Sequence, residues 1–357
     1  SQVVSTAGYS IQFFNKTGGA ATFQQSLATF FAGSSDPPVL SPEFAKVIYD
    51  THNSRFVVMA NELDTATNRS RVHLAVSDDS NPAGTWRYYT INTGVTIGSL
   101  SFSDSPHIAV DEEAIYVSAN MFSFSGFSFT GHRLWIVNKT PLGAGGAGTS
   151  TIHDPQTSAG IGVISHLQPV QIIGTPPSSP TGTWLCATGW SSGATDLVSI
   201  IRIDNPLTAP TFTNTYVSFG GDIHNTGVGM PDAPQSGTGT LLDTGNQRVT
   251  HAVWRNNNIY FVWTANPPSG TDTGQATVRW ARVNTSGALA ISDQGAIGGE
   301  SIATSCYTFF PSVAVDSAGN MAVNFSASAS TIFPGAYYTS RFSGDAAGTT
   351  ANPTALK

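Results

Sequence analysis

The sequence predicts an all-β protein, a single-domain β-propeller of four-stranded blades over residues 1–357, with seven blades expected and six as the alternative. Three observations lead to this prediction. Charged residues make up only 10% of the chain, while Gly totals 36 and Phe 20, and such a composition favours strands and tight turns over helices. A strand–turn–strand motif recurs along the chain. Most of its copies follow one another at an interval of about 61 residues, which is typical of propeller blades, and one interval is 83 residues.

The repeated motif is a short apolar run, a tight turn and a second apolar run. Its clearest copy begins at His107 and turns at Asp111. When the copies are aligned on the turn, the first strands begin near residues 46, 107, 168, 251 and 312. We expect the aspartates at these turns to bond their own backbone rather than to act in catalysis; they are Asp50, Asp111 and Asp316.

The other strands follow from period-two alternation and from the turn residues between the apolar runs. The predicted strands of the five repeats, after each first strand, are 56–60, 72–76 and 86–91; 115–119 and 133–137; 184–188, 198–203 and 213–217; 260–264 and 278–283; and 321–326 and 336–341. The register of the third repeat is ambiguous between His166 and Gln168. Residues 351–357 are expected to add no strand.

Charge and hydropathy exclude two classes of partner. The net charge of −7 argues against nucleic acid, since a basic face is needed to meet phosphates. No apolar run approaches the ~20 residues of a membrane span. Sequons together with few lysines favour a secreted, extracellular glycoprotein, which we expect to be a monomer; the sequons are at Asn15, Asn68, Asn138, Asn284 and Asn324.

Two cysteines, Cys186 and Cys306, are the only ones in the chain. Their spacing matches no metal-binding motif. They are candidates for one disulfide between neighbouring blades, and two buried free thiols are the alternative.

Polar residues cluster at the starts of the predicted first strands, which in a propeller converge on the central channel. The candidates there are Lys46, His107, His166, Gln168, His251 and Ser312, with Arg248 and Tyr307 close by in sequence. Imidazole can act as a general acid or base near neutral pH, and it can also bind a metal ion. The alternative interpretation is that each histidine only satisfies a neighbouring backbone carbonyl.

Motifs of other enzyme classes are missing from the sequence. It contains no H-E-x-x-H and no G-x-x-x-x-G-K-[S/T] phosphate loop. Paired catalytic carboxylates cannot be identified either. His52, His73, His132 and His153 are expected to have surface roles rather than catalytic ones, and His224 lies in a long loop.

Four segments resemble the secreted, sialidase-like, seven-bladed propeller family. They are residues 76–86, 104–111, 167–170 and 310–320. Within that family the chain is most similar to the L-rhamnose-α-1,4-D-glucuronate lyases that act on arabinogalactan (gum arabic). The resemblance implies a polysaccharide lyase whose partner is an acidic plant polysaccharide or oligosaccharide. The chain departs from this family because it ends before an evident last blade.

The expected reaction is β-elimination at a uronate. His107 would remove the C5 proton, and His166 or His251 would protonate the leaving oxygen or hold the carboxylate. Substrate binding is assigned to Lys46, Arg248, Gln168 and Tyr307. The cationic side chains of Lys46 and Arg248 would neutralise the charge of the developing enolate. No cofactor is required by the sequence, although Ca²⁺ is compatible with this chemistry. The alternatives are a glycoside hydrolase, such as a rhamnosidase or sialidase-like enzyme, and a non-catalytic lectin.

Overall fold

The fold class is confirmed by a computed structural model of the chain. The structure describes residues 2–163, 165–193, 195–225 and 228–356. It is 54% strand and 5% helix, with the small antiparallel sheets of a β-propeller. The few Lys and Glu residues and the many β-branched and aromatic ones account for this excess of strand over helix.

The chain divides into two compact units. The first unit comprises Ser1–Pro169, Ser178–Thr183 and Ile203–Phe212. The second comprises Val170–Pro177, Trp184–Arg202 and Thr213–Lys357. The sequence-based prediction of one domain over residues 1–357 stays a prediction, and each unit is described on its own.

The first unit contains an N-terminal sheet followed by two complete blades. The N-terminal sheet consists of β1 (Gln2–Ala7), β2 (Ser10–Asn15) and β3 (Phe23–Ser26). Blade 1 consists of β4 (Glu43–Asp50), β5 (Arg55–Asp64), β6 (Arg69–Ser77) and β7 (Trp86–Asn92). Blade 2 consists of β8 (Val95–Ile97), β9 (Ser99–Val110), β10 (Ala114–Ser123), β11 (Phe129–Asn138) and β12 (Thr149–His153).

The remaining strands follow the same order along the chain. Blade 3, whose residues are shared between the units, consists of β13 (Gln168–Pro169), β15 (Thr181–Ser192), β16 (Thr195–Asp204) and β17 (Thr211–Ser218). Blade 4 consists of β14 (Gln171–Ile172), β20 (Val249–Arg255), β21 (Asn258–Ala265), β22 (Thr277–Asn284) and β23 (Ala290–Ile297). Blade 5 consists of β24 (Tyr307–Val315), β25 (Met321–Ala329), β26 (Ile332–Arg341) and β27 (Thr354–Ala355). A separate hairpin consists of β18 (Ala233–Gln235) and β19 (Thr238–Leu242).

Six sheets of three or more strands lie in the described part of the chain, so the blade number is the smaller of the two expected. Two sequence-based predictions of strands were wrong. The third repeat was expected to begin with one strand. Instead, β13 pairs with β15, whereas β14 pairs in parallel with β20 in a different sheet. The C-terminal residues were expected to add no strand, whereas β27 pairs with β26 at Tyr337 and Tyr338.

Helices are short and peripheral to the strand pattern. They are α1 (Leu27–Phe30), α2 (Lys139–Gly143) and α3 (Pro155–Ser158), with a 3-10 turn at Phe31–Gly33. No helix among the described residues is long and apolar enough to cross a membrane.

The core lies between the sheets of each unit, because the second strand is buried on both faces in blades 1, 2 and 4. β5, β10 and β21 are almost continuously buried. In the first unit, Met59, Val117 and Trp135 belong to one apolar cluster that joins β5, β10 and β11. These strands therefore read in the sequence as unbroken apolar runs rather than as alternating ones.

The aspartates at the repeated turns cap the backbone, as the sequence predicts. The Asp50 carboxylate accepts the N–H groups of His52 and Asn53 at 2.9 and 3.2 Å. Asp111 accepts those of Glu113 and Ala114 at 2.8 and 2.7 Å. Each cap closes the turn between the first and second strands of its blade.

The first strands of three blades carry the same β-bulge. In blade 1 two residues oppose one because Glu43 pairs with Asn61 and Lys46 with Met59. The equivalent bulges lie between Asp104 and His107 in β9 and between Phe309 and Ser312 in β24. A left-handed residue begins each bulge, with φ of 50° at Phe44, 45° at Ser105 and 52° at Phe310.

The bulge determines which face of the strand receives the next polar residue. An extra residue shifts the two-residue alternation of side chains, so a residue beyond the bulge points differently from the one that a regular strand would place there. In each of the three blades this residue follows the left-handed one by two positions. The residues concerned are Lys46, His107 and Ser312.

Substituting Ser105 tests the left-handed conformation. A β-branched residue at φ of 45° is strained, so Ser105→Val should destabilise the protein by about 1–3 kcal/mol, whereas Ser105→Gly should be close to neutral. Chemical denaturation measures both changes. Ser99→Val, on the same strand without a positive φ, is the matched control. Equal stability of Ser105→Val and Ser99→Val would contradict the assignment.

Candidate functional site

The candidate site in the first unit is built on equivalent positions of successive repeats. Lys46, His107 and Gln168 follow at equal intervals in the sequence, and each stands two residues after a left-handed residue. In the third repeat that left-handed residue is His166 itself, with φ of 68°. The structure thus resolves the register of the third repeat. Gln168 is equivalent to His107, and His166 is equivalent to Ser105.

Lys46 and His107 are in direct contact. Lys46 Nζ lies 2.8 Å from His107 Nδ1, although the two residues belong to different blades. His107 is buried and Lys46 half-buried. His107 lies opposite Ser118 in the register of β9 and β10. The contact joins two of the residues that the sequence proposes for binding and catalysis.

Burial lowers the pKa of Lys46 to about 8, because a desolvated ammonium is disfavoured. The Lys46–His107 pair therefore has two arrangements near neutral pH. A charged Lys46 donates to Nδ1 of His107, which leaves the imidazole proton on Nε2. A neutral Lys46 can accept from Nδ1–H of His107, which leaves Nε2 with its lone pair and thus able to act as a base.

His166 is the third member of the cluster. Its ring meets the ring of His107 edge to face, with centroids 4.6 Å apart and planes at 77°. Lys46, His107 and His166 thus form a continuous group of nitrogen-bearing side chains within the first unit. We call this group the Lys–His–His cluster.

Asn120 of β10 holds His166 at two points. Asn120 Oδ1 accepts the backbone N–H of His166 at 2.8 Å, and Asn120 Nδ2 lies 2.8 Å from His166 Nδ1. Asn120 is itself buried. The first bond stabilises the left-handed backbone of His166, and the second orients its ring.

Two further side chains of blade 2 hold the residue that follows His166. The hydroxyl of Ser118 donates to the carbonyl oxygen of Leu167 at 2.6 Å. The backbone N–H of Leu167 is directed at His132 Nε2 at 3.4 Å. Burial lowers the pKa of His132 to about 3, so this ring is neutral and accepts the bond. The surface role predicted for His132 and for His73 is wrong, because both rings are buried.

Gln168 brings an acceptor to the same region of the chain. Its Nε2 donates to the carbonyl oxygen of Pro169 at 2.9 Å, which fixes the orientation of the amide because a carbonyl can only accept. The opposite atom, Oε1, is buried and has no hydrogen-bond partner among the described residues. A buried acceptor of this kind calls for a donor from a ligand or from water.

The second unit contains the other proposed site residues. His251 Nδ1 lies 3.0 Å from the carbonyl oxygen of Val313 and 3.3 Å from its nitrogen, so this ring has the backbone partner that the alternative interpretation expects. Tyr307 donates its hydroxyl to the carbonyl oxygen of Gly274 at 3.3 Å. Arg248 is half-buried immediately before β20, and Ser312 follows the bulge of β24. Roles for these residues in catalysis or binding stay predictions.

Two other histidines are buried in polar networks. His73 Nε2 lies 3.0 Å from Glu62, which also accepts the N–H groups of Val39 and Leu40 at 2.7 and 2.8 Å. This network fastens the segment after α1 to blade 1. In the second unit, His224 lies between Asp196 and Trp263.

The proposed disulfide is wrong, because both cysteines are free. Cys186 packs in the apolar cluster around Trp184 and Trp254, and Cys306 in a different one around Val313. Burial raises the pKa of Cys306 to about 11 and that of Cys186 still further, so both thiols stay protonated near neutral pH. The alternative of two buried thiols is the one observed.

Among the described residues, no group of three or more His, Cys, Asp or Glu side chains is arranged to hold a metal ion. The Lys–His–His cluster in particular pairs two imidazoles with an amine. Nitrogen groups of this kind can transfer protons and form hydrogen bonds directly.

Sequence reasoning missed Asn120, although the sequence carries a signal for it. Asn61 and Asn120 each follow an alanine near the end of a second strand, in the repeats 57–61 and 116–120. Asn61 likewise faces the next first strand, where Ser103 donates to its Oδ1 at 2.9 Å. An Ala-Asn pair that recurs with the repeat thus marks the side chain that reaches the neighbouring bulge.

The chain is similar to several proteins of known structure. No protein-family model and no curated protein sequence matches the chain. A Trypanosoma rangeli sialidase mutant with trans-sialidase activity is 10% identical with a TM-score of 0.40, covering 85% of this chain and 56% of its own. An exo-β-1,3-galactanase from Clostridium thermocellum is 10% identical with a TM-score of 0.41, covering 89% and 62%.

A Cellvibrio cellulosa α-L-arabinanase complexed with arabinohexaose is also similar, at 15% identity and a TM-score of 0.33, covering 82% of this chain and 94% of its own. This chain thus matches little more than half the length of the sialidase and of the galactanase. Because these likenesses are distant, the function proposed below rests on the residues of the site.

The pH dependence of stability tests the environment of Lys46. The pKa of Lys46 is about 8 in the folded chain and about 10.4 when exposed to water. Between these values the unfolded chain binds more protons, so stability rises with pH. Lys46→Met should abolish this part of the rise. Denaturation midpoints of both proteins from pH 7 to pH 10 measure the effect.

Lys16→Met is the matched control, because Lys16 is exposed. It should follow the pH dependence of the wild type. A wild-type curve parallel to that of Lys46→Met over this range would show that Lys46 titrates as an ordinary lysine, contrary to the prediction.

Proposed function

We propose that the protein is a carbohydrate-active enzyme that cleaves a glycosidic linkage at the Lys–His–His cluster. The observation on which this proposal depends is the contact of Lys46 with His107 and of His107 with His166. Groups able to take and to give protons near neutral pH lie side by side there, and Gln168 carries a buried acceptor in the equivalent position of the next repeat. Sugars, with many hydroxyl groups, provide the donors that such an acceptor requires.

Hydrolysis is the first candidate reaction, and it makes the smaller demand on the substrate. His107 would take a proton from water while the oxygen of the water bonds to the anomeric carbon. The bond between that carbon and the glycosidic oxygen breaks, and the leaving oxygen takes the proton that His107 accepted from the water. General acid–base catalysis of this kind contributes roughly 10²–10⁴-fold in rate.

Elimination at a uronate is the second candidate, favoured by the cation beside the base. His107 would remove the C5 proton, a C4–C5 double bond forms, and the bond from C4 to the leaving oxygen breaks as that oxygen takes a proton back from His107. The carboxylate must be neutralised while the charge of the enolate develops. Lys46, at 2.8 Å from His107 Nδ1, would do this by accepting the Nδ1 proton of His107 as Nε2 takes the C5 proton. Rhamnose-glucuronate linkages of arabinogalactan remain the proposed substrate of this reaction.

We also propose that the protein acts outside the cell as a monomer. Of the five sequons, those at Asn15 and Asn68 have exposed asparagines in tight turns or at strand ends, where a glycan could be attached. An acidic polysaccharide would meet the cationic Lys46 in a protein whose net charge is −7. The attraction would therefore be local to the cluster.

Replacing His107 tests the proposal. His107→Ala should lower kcat/KM on gum arabic by roughly 10²-fold or more, because the base is lost, without a change in the folded structure. Products are followed by mass in ¹⁸O-labelled water and by ultraviolet absorbance. Hydrolysis adds a labelled oxygen to the product, whereas elimination produces an unsaturated uronate that absorbs and carries no label.

His153→Ala is the matched control, since His153 ends β12 at the opposite edge of the same sheet. It should retain wild-type turnover. Wild-type turnover in His107→Ala would overturn the assignment of the cluster. Saturable binding of oligosaccharide without any product would instead favour the lectin alternative.

A further inference from the structure

Asn120 constrains the proton of His166 as well as its position. The backbone N–H of His166 can only donate, so the atom of Asn120 that meets it at 2.8 Å must be the carbonyl oxygen Oδ1. The amide orientation is therefore fixed by chemistry. The other atom of the amide, Nδ2, then faces His166 Nδ1 at 2.8 Å as a donor.

A donor at Nδ1 means that Nδ1 must accept. In neutral imidazole one nitrogen accepts and the other carries the proton, so the proton of His166 is on Nε2. Full protonation of the ring would place an N–H at Nδ1 against the N–H of Asn120. Because Asn120 is buried and its amide is held by a backbone bond, the amide cannot turn away without loss of that bond.

We propose that Asn120 is a positioning residue that keeps His166 neutral, with Nε2–H as a fixed hydrogen-bond donor. This inference rests on the proposed function and deepens it. His166 is then neither the base nor a full proton donor. It binds and polarises a substrate oxygen, either the leaving oxygen or a carboxylate oxygen, while His107 performs the proton transfer.

The groups around His166 are consistent with a neutral ring. His107 lies edge to face with it and Lys46 beyond His107, and a cation there disfavours a second positive charge on His166. His132 binds the next residue as a neutral acceptor. Asp104, whose carboxylate would instead favour a charged ring, lies opposite Asn120 in the register of β9 and β10.

Nitrogen NMR of the histidine rings tests the inference without any substrate. In the wild type, His166 should show the Nε2–H tautomer of neutral imidazole from pH 5.5 to pH 8, a range chosen about the ordinary histidine pKa of about 6.5. An Nδ1–H tautomer, or an imidazolium signal throughout this range, would overturn it. This measurement needs no variant, so a folding failure cannot obscure the result.

Asn120→Asp provides the second arm. One oxygen of the introduced carboxylate still accepts the backbone N–H of His166, but the other can only accept from Nδ1–H. The ring then carries its single proton on Nδ1, or gains a second proton and becomes imidazolium. We expect the His166 spectrum to change in this way. At pH 7, kcat/KM should fall roughly 10²-fold, since one donor to the substrate is lost, and it should recover toward acidic pH as the ring gains a proton at Nε2.

Asn61→Asp is the matched control, because Asn61 occupies the equivalent position in blade 1 and bonds to Ser103 rather than to a histidine. It should leave the His166 spectrum unchanged. An equal, pH-independent loss of activity in both variants would show a merely structural role for Asn120 and overturn the inference. A confirmed Nε2–H tautomer in a protein inactive on every saccharide would sink the proposed function and leave the tautomer assignment intact.

Discussion

The β-bulge in the first strand of the blades is the constraint on which the candidate site depends. Without the extra residue, the side chains of Lys46 and His107 would point to the opposite face of the strand, because side chains alternate between the two faces. At each bulge the residue with positive φ is not a glycine. This conformation costs free energy, which surrounding contacts must offset. In the third repeat Asn120 supplies such a contact through the backbone of His166. In the second unit Thr264 does the same for Phe310, whose N–H lies 3.3 Å from its hydroxyl.

Scaffold and chemistry are thus coupled in the same residues. The second strand of blades 1 and 2 is buried on both faces, so its side chains are rigidly placed, and its asparagine reaches the first strand of the next repeat. Asn61 contributes to a buried group of hydroxyls at Ser103, whereas Asn120 meets a histidine. The asparagine of the second strand is therefore structural in blade 1 and contributes to the candidate site in blade 2. The difference lies in its partner, which is Ser103 in one case and His166 in the other.

The fold was predictable from the sequence because its signals are local and repeated. Apolar runs, Asp-capped turns and a constant interval specify strands whichever blade they belong to, and the Asp50 and Asp111 turns form as expected. The third repeat was misread because β13 and β14 have two residues each and pair in different sheets. Nothing in the apolar pattern of so short a segment specifies the strand with which it pairs. The disulfide prediction was wrong for a similar reason, because the packing of Cys186 and Cys306 in separate clusters depends on long-range contacts.

The site was predictable as a set of residue types but not as a set of contacts. Alignment of the repeats named Lys46 and His107, and their contact follows from the bulges. It could not show that Asn120 controls the proton of His166, because that depends on a two-point contact between residues far apart in sequence. The most direct test of the central claim is a titration of the histidine NMR signals with an acidic oligosaccharide from gum arabic. The account predicts saturable shifts at His107 and His166 with none at His153, and shifts confined to other histidines, or none at all, would contradict it.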